Sequence, residues 1–242
     1  MHQPSSELFS GSRPLMLQEV AFPIPLRIAV LAPHPDDFDA IAVSMRLLQQ
    51  RGHEIHVAVL TSGASGVEDG FQGARTPEEK AVIRETEQRA SCTLFGLPTE
   101  RLRFLRLWES EDATIDEERL RDYLRSLQPE LVFLPHGNDS NRTHRRTFES
   151  FHGIASQDRM QLWACMNLDA KTLGMRNDLL TYFGEEEANW KAQLLRLHRS
   201  QHERNLRSRG LGFDERVLSV NRHAAAGSGH PYAEAFELQR YG

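Results

Sequence analysis

Three short apolar runs separated by segments of helical periodicity constrain this chain more than any other feature. Residues 26–31 (LRIAVL), 54–60 (EIHVAVL) and 131–134 (LVFL) are rich in aliphatic and β-branched side chains and bounded by turn signals, the pattern of strands buried on both faces. Between the first two, residues 40–50 carry Ile41, Met45 and Leu48 at helical spacing, and Gly52 closes the segment. A strand, a helix and a second strand in that order favour a right-handed crossover with parallel strands. The alternation continues with a helix at 77–95, Pro77 in its first turn and Gly96 beyond its end, then a brief strand at 102–105 and a helix at 115–127. The expected fold is α/β, a Rossmann-like, mainly parallel sheet with helices on both faces. Residues 185–207 read as one further helix, with Trp190, Leu194, Leu197 and the stem of Gln201 on one face, and 217–220 as a late strand. Residues 1–25, with Pro4, Pro14, Pro23 and Pro25, read as an irregular arm laid over a single domain spanning 1–242.

A chain of 242 residues suits one large domain, and 39% hydrophobic with 26% charged residues suits a soluble one with a real core. A net charge of -5 argues against nucleic acid as the partner, which leaves the clusters Arg142, Arg145, Arg146 and Arg204, Arg207, Arg209 as solvated or ion-paired surface. No apolar run approaches the roughly 20 residues of a membrane helix, and the N-terminus lacks a basic start followed by an apolar stretch, so a cytoplasmic protein without membrane attachment is expected. Cys92 and Cys165 lie far apart with no CxxC, which disfavours a disulfide framework and a thiolate metal site. The eleven histidines are more informative, histidine being the commonest metal ligand.

In open α/β sheets, ligands bind beyond the carboxyl ends of the strands. The segment His34-Pro35-Asp36-Asp37 stands there, directly after the first strand. His34 can offer an imidazole nitrogen and Asp37 a carboxylate oxygen, two of the three protein ligands of an open catalytic zinc site. A third must come from elsewhere. The polar loop at 135–144, after the last strong parallel strand, offers His136 and His144. A turn with Asp39 as helix N-cap would account for the same segment without a metal.

Ala32-Pro33-His34-Pro35-Asp36-Asp37 resembles the AHPDD signature of the PIG-L/LmbE-like zinc-dependent N-deacetylases. The resemblance extends along most of the chain. Thr61 to Gly66 is similar to that family's T-x-G-x-x-G segment, Arg84 to Glu87 to its R-x-x-E helix, and Asp139 to His144 to its D-x-H-P-D-H segment. Lys191 with His198-Arg199-Ser200-Gln201 resembles its K…H-x-S-Q helix, and Glu234-Ala235-Phe236 its closing E-x-F.

The resemblance implies His34, Asp37 and His144 as metal ligands, Asp36 as general base and Arg84 as a substrate contact. It implies Zn2+ as cofactor, and the two-histidine, one-carboxylate set leaves the metal exchangeable with Fe2+ or another divalent ion. The expected partner is a small N-acyl substrate of N-acetylglucosamine type, with self-association into a homo-oligomer left open. An amidase on a thiol conjugate or another natural product, and a metal-binding homologue without catalysis, are the alternatives. Two positions depart from the family. Phe38 and Asp39 follow where a glutamate is usual, and Asn141 and Thr143 replace the first histidine and the aspartate of H-P-D-H. Asn141 can still donate a hydrogen bond to an oxyanion, but it cannot act as an acid at neutral pH. Asp36 is therefore expected to carry both proton transfers. His198 is expected to hold its helix against the site, and His53 and His56 to be structural. Asp169 and Lys171 are weak candidates for specificity. Gly63 and Gly66 could mimic a phosphate loop, but no Lys-Ser/Thr follows, which disfavours nucleotide binding.

Overall fold

The computed structural model of the chain describes residues 8–22, 24–109 and 113–242, with residues 113 and 114 in backbone only. The first seven residues of the expected arm, and Pro23 within it, lie outside the described residues. The strands are β1 (Leu15–Met16), β2 (Arg27–Ala32), β3 (Glu54–Val59), β4 (Leu102–Phe104), β5 (Leu131–Pro135), β6 (Leu162–Asn167), β7 (Leu179–Phe183) and β8 (Tyr232–Tyr241). The helices are α1 (Ala42–Gln50), α2 (Pro77–Phe95), α3 (Ala113–Leu127), α4 (Arg142–Gln157), α5 (Glu185–Arg196), α6 (Arg199–Arg209) and α7 (Phe213–Ala224).

The eight strands of the described residues form one sheet in the order β1-β7-β8-β6-β5-β2-β3-β4. The pairings are parallel except those of β8, which runs antiparallel to both β6 and β7. The alternation along β2 shows why both faces need cover. Ile28, Val30 and Ala32 enter a core with Met45 and Leu48 of α1, Phe95 of α2 and Leu194 of α5. Ala29 and Leu31 enter the opposite core with Leu120 and Leu124 of α3 and Phe151 and Ile154 of α4. The α/β expectation therefore holds, helices on both faces included. β3 and β5 flank β2 on opposite sides, so the chain order reverses at β2–β5. The loops leaving β2 and β5 diverge there and open a crevice at the carboxyl ends of the strands.

Four local expectations are corrected. Residues 185–207 are two helices, because His198 leaves helical geometry (φ -78°, ψ 63°) to bring its Nε2 to Asp39 Oδ2 at 2.5 Å. Residues 217–220 lie inside α7: the Gly212 N–H donates to Glu215 Oε2, starting a helix that buries Val217, Leu218 and Asn221. The arm is not wholly irregular, since β1 pairs parallel with β7 and Leu8, Phe9 and Leu17 are buried in the first core. β5 is not the last parallel strand, because β6 pairs parallel with it on the far side.

The start of α1 also differs from expectation. Asp39 caps nothing and lies in a short 3-10 turn over Asp39–Ile41. Glu234 of β8 does the capping instead. Its carboxylate accepts the N–H groups of Val43 and Ser44 at 3.1 and 2.8 Å, which a helix terminus otherwise leaves unsatisfied. Lys191 of α5, fully buried, donates to Glu234 Oε1 at 2.7 Å and to Asn221 Oδ1 at 2.8 Å. One buried ionic knot thus ties the last strand to the helix that follows the His34–Asp37 turn.

Candidate metal centre

His34 to Asp37 turns sharply off the end of β2. The Asp37 carboxylate folds back, its Oδ2 accepting the His34 N–H at 2.7 Å and lying 3.1 Å from His34 Nδ1. The turn is strained at Asp36, whose φ of 127° a non-glycine residue rarely adopts. Three contacts from α2 hold it. Gln88 Oε1 accepts the Asp36 N–H at 2.9 Å, and Arg84 donates to the Pro35 carbonyl and to Asp36 Oδ2, the latter at 2.8 Å. The neighbouring loop approaches closely enough that a Cβ at Gly63, itself at φ 64°, would come within 3.0 Å of the Pro35 ring and 3.2 Å of Arg84. That close approach gives Gly63 a packing reason, and the Gly66 carbonyl accepts the Gln201 side chain at 3.0 Å.

His144 arrives from the other side of the crevice, in the first turn of α4. Its Nε2 lies 3.5 Å from Asp37 Oδ1, and its Nδ1 lies 3.2 Å from the buried Asp139 Oδ2. A carboxylate behind the imidazole fixes which nitrogen carries the proton and turns the other toward the site. Burial favours a neutral Asp37, yet the charges and hydrogen bonds of His144 and His34 hold its carboxyl well below the usual range. Burial would likewise lower His144, but the Asp37 charge and the Asp139 hydrogen bond raise it to about 10. Two histidines and a carboxylate are thus electrostatically locked together, and the positive charge that stabilises them is one a cation can replace.

The ligand atoms of His34, Asp37 and His144 all lie within 4.8 Å of one another. Bonds of about 2.0–2.2 Å to a tetrahedral zinc put neighbouring donors roughly 3.3 Å apart; His34 Nδ1 lies 3.1 Å from one Asp37 oxygen and His144 Nε2 3.5 Å from the other. Asp139, His144 and Asp169 form a second convergent group. Asp139 is committed there, accepting the Asn141 N–H at 2.6 Å as well as facing His144, and it does not line the cavity. His34, Asp36, Asp37, Arg84, Asn141 and His144, from three separate stretches of chain, all line one cavity of about 600 Å³. His136 lies apart, facing Glu237 at 3.4 Å.

A profile describing the PIG-L GlcNAc-PI de-N-acetylase family matches residues 29–154, just over half of the chain. The chain belongs to the PIG-L family. A putative glucosamine-6-phosphate deaminase-like protein of Bacteroides thetaiotaomicron is 28% identical over 185 residues, covering 52% of this chain and 27% of its own length. This PIG-L chain therefore spans about a quarter of that relative. Among solved structures, the N,N'-diacetylchitobiose deacetylase of Pyrococcus horikoshii, complexed with its inhibitor MPG, superposes with a TM-score of 0.72 at 19% identity. That match covers 93% of this chain and 89% of the deacetylase. GalB, the 4-carboxy-2-hydroxymuconate hydratase of Pseudomonas putida KT2440, superposes with a TM-score of 0.67 at 19% identity, covering 88% and 95%. These superpositions show a shared fold.

Within that PIG-L frame, several neighbours were missed or underweighted from sequence. Asp139 had no assigned role, although it stands five residues before His144. Glu87 was read as the glutamate of the R-x-x-E motif without a role of its own, and Gln88 only as part of a helix. Glu87 accepts both the N–H and the hydroxyl of Ser200 at 2.7 Å, pinning α6 beside the site, and lies 3.5 Å from Arg84. Asp39 receives Ser91 Oγ at 2.5 Å and His198 at 2.5 Å. His198 holds its helix in place, as expected. Asn141 caps α4: its side-chain oxygen accepts the Thr143 N–H at 3.0 Å, which leaves the amide Nδ2 as the free donor of that side chain. No helix among the described residues is long and apolar enough to cross a membrane.

Proposed function

We propose that this chain is a metal-dependent hydrolase that removes an N-acetyl group from a small N-acetylglucosamine-type substrate, with zinc held by His34, Asp37 and His144. One observation carries the reading. Three ligand atoms within 4.8 Å of one another sit beside a carboxylate, Asp36, clamped by a buried arginine, all at the wall of one open cavity. The family's description and the Pyrococcus deacetylase support an N-acetyl sugar as substrate. The hydratase has the same fold, so the reaction is argued from the site and not from the fold.

When bound, zinc supplies Lewis acidity toward the acyl oxygen and makes water a stronger acid. Asp36 takes the proton of the attacking water and returns it to the departing amine. Arg84, donating to Asp36 Oδ2 and to Pro35, keeps that carboxylate in one orientation. Asn141 Nδ2 donates to the oxygen on which negative charge builds. Asp139 keeps the proton of His144 on Nδ1 and so leaves Nε2 facing Asp37.

The test is acetate release from a panel of N-acetylglucosamine conjugates, with and without a chelator. Chelator-sensitive release is expected. No release from a broad amide panel by protein carrying stoichiometric zinc would overturn the reading.

A further inference from the structure

Helix α6 has an unusual composition for an element packed on a core. Its one large apolar residue, Leu206, points outward and is 44% exposed. A helix without an apolar stripe is not held by hydrophobic burial. Polar contacts hold this one: Ser200 on Glu87, Gln201 and Arg204 on the Gly66 carbonyl, and Arg207 on Glu68. Its inner face still has a clear period. Gln201, Arg204, Asn205, Ser208 and Arg209, at i, i+3, i+4, i+7 and i+8, all line the cavity of the metal centre. Two of the arginines read from sequence as solvated surface therefore belong to the cavity wall.

The charges on that wall do not cancel. Arg216 of α7 and Lys171, from the loop after β6, join Arg204 and Arg209 in lining the cavity. None of the four is in an ion pair among the described residues. The carboxylates lining the cavity are Asp36, Asp37 and Asp169, and all three belong to the metal centre. Asp36 is engaged by Arg84, Asp37 lies between His34 and His144, and Asp169 lies 3.9 Å from His144. The cavity thus carries four positive groups without a carboxylate partner, in a chain whose net charge is -5. Eight residues separate Gln201, beside the metal-site loop, from Arg209, or about 12 Å along the helix. That reach exceeds one sugar ring.

We propose that this wall is an oxyanion subsite: the amine-bearing half of the substrate carries a phosphate or carboxylate, which Arg209 at the end of α6 and Arg216 in α7 hold, with Arg204 and Lys171 adding to the field. Calling the ligand a substrate rests on the deacetylase reading; the subsite itself is tested by binding.

The zinc-loaded protein is titrated calorimetrically with N-acetylglucosamine, its 1-phosphate, its 6-phosphate and N-acetylmuramic acid, the last testing a carboxylate in place of phosphate. At least one anionic sugar binds about 10- to 100-fold more tightly than the neutral one, the range for hydrogen bonds to a charged group. In Arg209→Gln/Arg216→Gln protein that ratio collapses toward one, and added KCl shrinks it in the parent. Arg209 is exposed at the end of α6, so Arg209→Gln alone serves if the double variant does not fold. Equal affinities for all four sugars overturn the proposal. So does a preference that survives in the folded variant, since the anion would then be sitting on the metal. A ratio of one with acetate release intact defeats the subsite alone, whereas an intact ratio without acetate release defeats the deacetylase reading alone.

Discussion

Replacing Asp36 by asparagine separates chemistry from folding at the strained turn. Asparagine keeps the shape of the side chain and tolerates a positive φ better than most residues, so the backbone at 127° is retained. Its side-chain oxygen still accepts from the cationic Arg84, so a charge-assisted hydrogen bond is kept while the ion pair is lost, at a cost of roughly 1 kcal/mol. Arg84 is 2% exposed but not stranded, because the Pro35 carbonyl and Glu87 remain. For a chain of 242 residues, ~1 kcal/mol lowers the melting temperature by about 2–4 °C. Alanine is a poorer probe. It removes Arg84's main partner, and breaking a buried pair costs up to about 3–5 kcal/mol, so its inactivity would have two explanations. Asp36→Asn protein should keep its zinc by elemental analysis, melt within a few degrees of the parent, and lose at least ~10²-fold in kcat for acetate release. Near-normal turnover would refute the base assignment. Loss of zinc along with activity would move Asp36 from proton transfer to metal holding.

Asp139→Asn should weaken zinc binding by about 10- to 100-fold in a chelator competition, the usual cost of losing the carboxylate behind a ligand histidine; unchanged affinity would show that Asp139 does not orient His144. In the metal-free protein, His144 has a raised pKa of about 10, so its stabilising contribution is complete below the unfolded value near 6.5 and fades as pH rises toward 10. The melting-temperature gap between zinc-loaded and zinc-free protein should therefore widen between pH 6.5 and 9, and a constant gap would count against the His144–Asp37 coupling. Glu234→Gln leaves the buried Lys191 without its counter-charge, which should cost about 3–5 kcal/mol and lower the melting temperature by roughly 6–20 °C; a shift under 2 °C would mean the knot is not structural. Asn141→Asp keeps a good cap on α4 but turns a donor into an acceptor, so kcat should fall about 10²- to 10³-fold with little change in melting. Normal turnover would leave Asn141 as a cap only.

The readable part of the fold lay in its central strands. β2, β3 and β5 are buried on both faces, so each is a short, nearly continuous apolar run that no exposed helix imitates. β6 (LWACMN) has the same character and could have been found by the same rule. β8 could not, because buried Glu234 interrupts its pattern, and that glutamate is tolerable only because Lys191, Val43 and Ser44 converge on it from distant parts of the chain. The break between α5 and α6 was hidden for a similar reason. Residues 185–207 contain no proline or glycine, so nothing local ends the helix. The Asp39–His198 contact, 159 positions apart, ends it.

The site divides along the same line. His34, Asp36 and Asp37 were legible because one tight turn brings them together, and spacing along the chain is enough to see it. His144 needed the resemblance, since loop composition alone left His136 equally eligible. The structure separates the two in space: the turn into α4 carries His144 to Asp37, while His136 leaves toward Glu237. The substitutions at Asn141 and Thr143 make sense on the same turn. Asn141 spends its amide oxygen on capping α4 and its backbone N–H on Asp139, the residue that orients His144. A histidine there could offer an acid but would be a weaker cap. On the proposed mechanism, Asn141 keeps the helix that carries His144 in place and leaves proton transfer to Asp36.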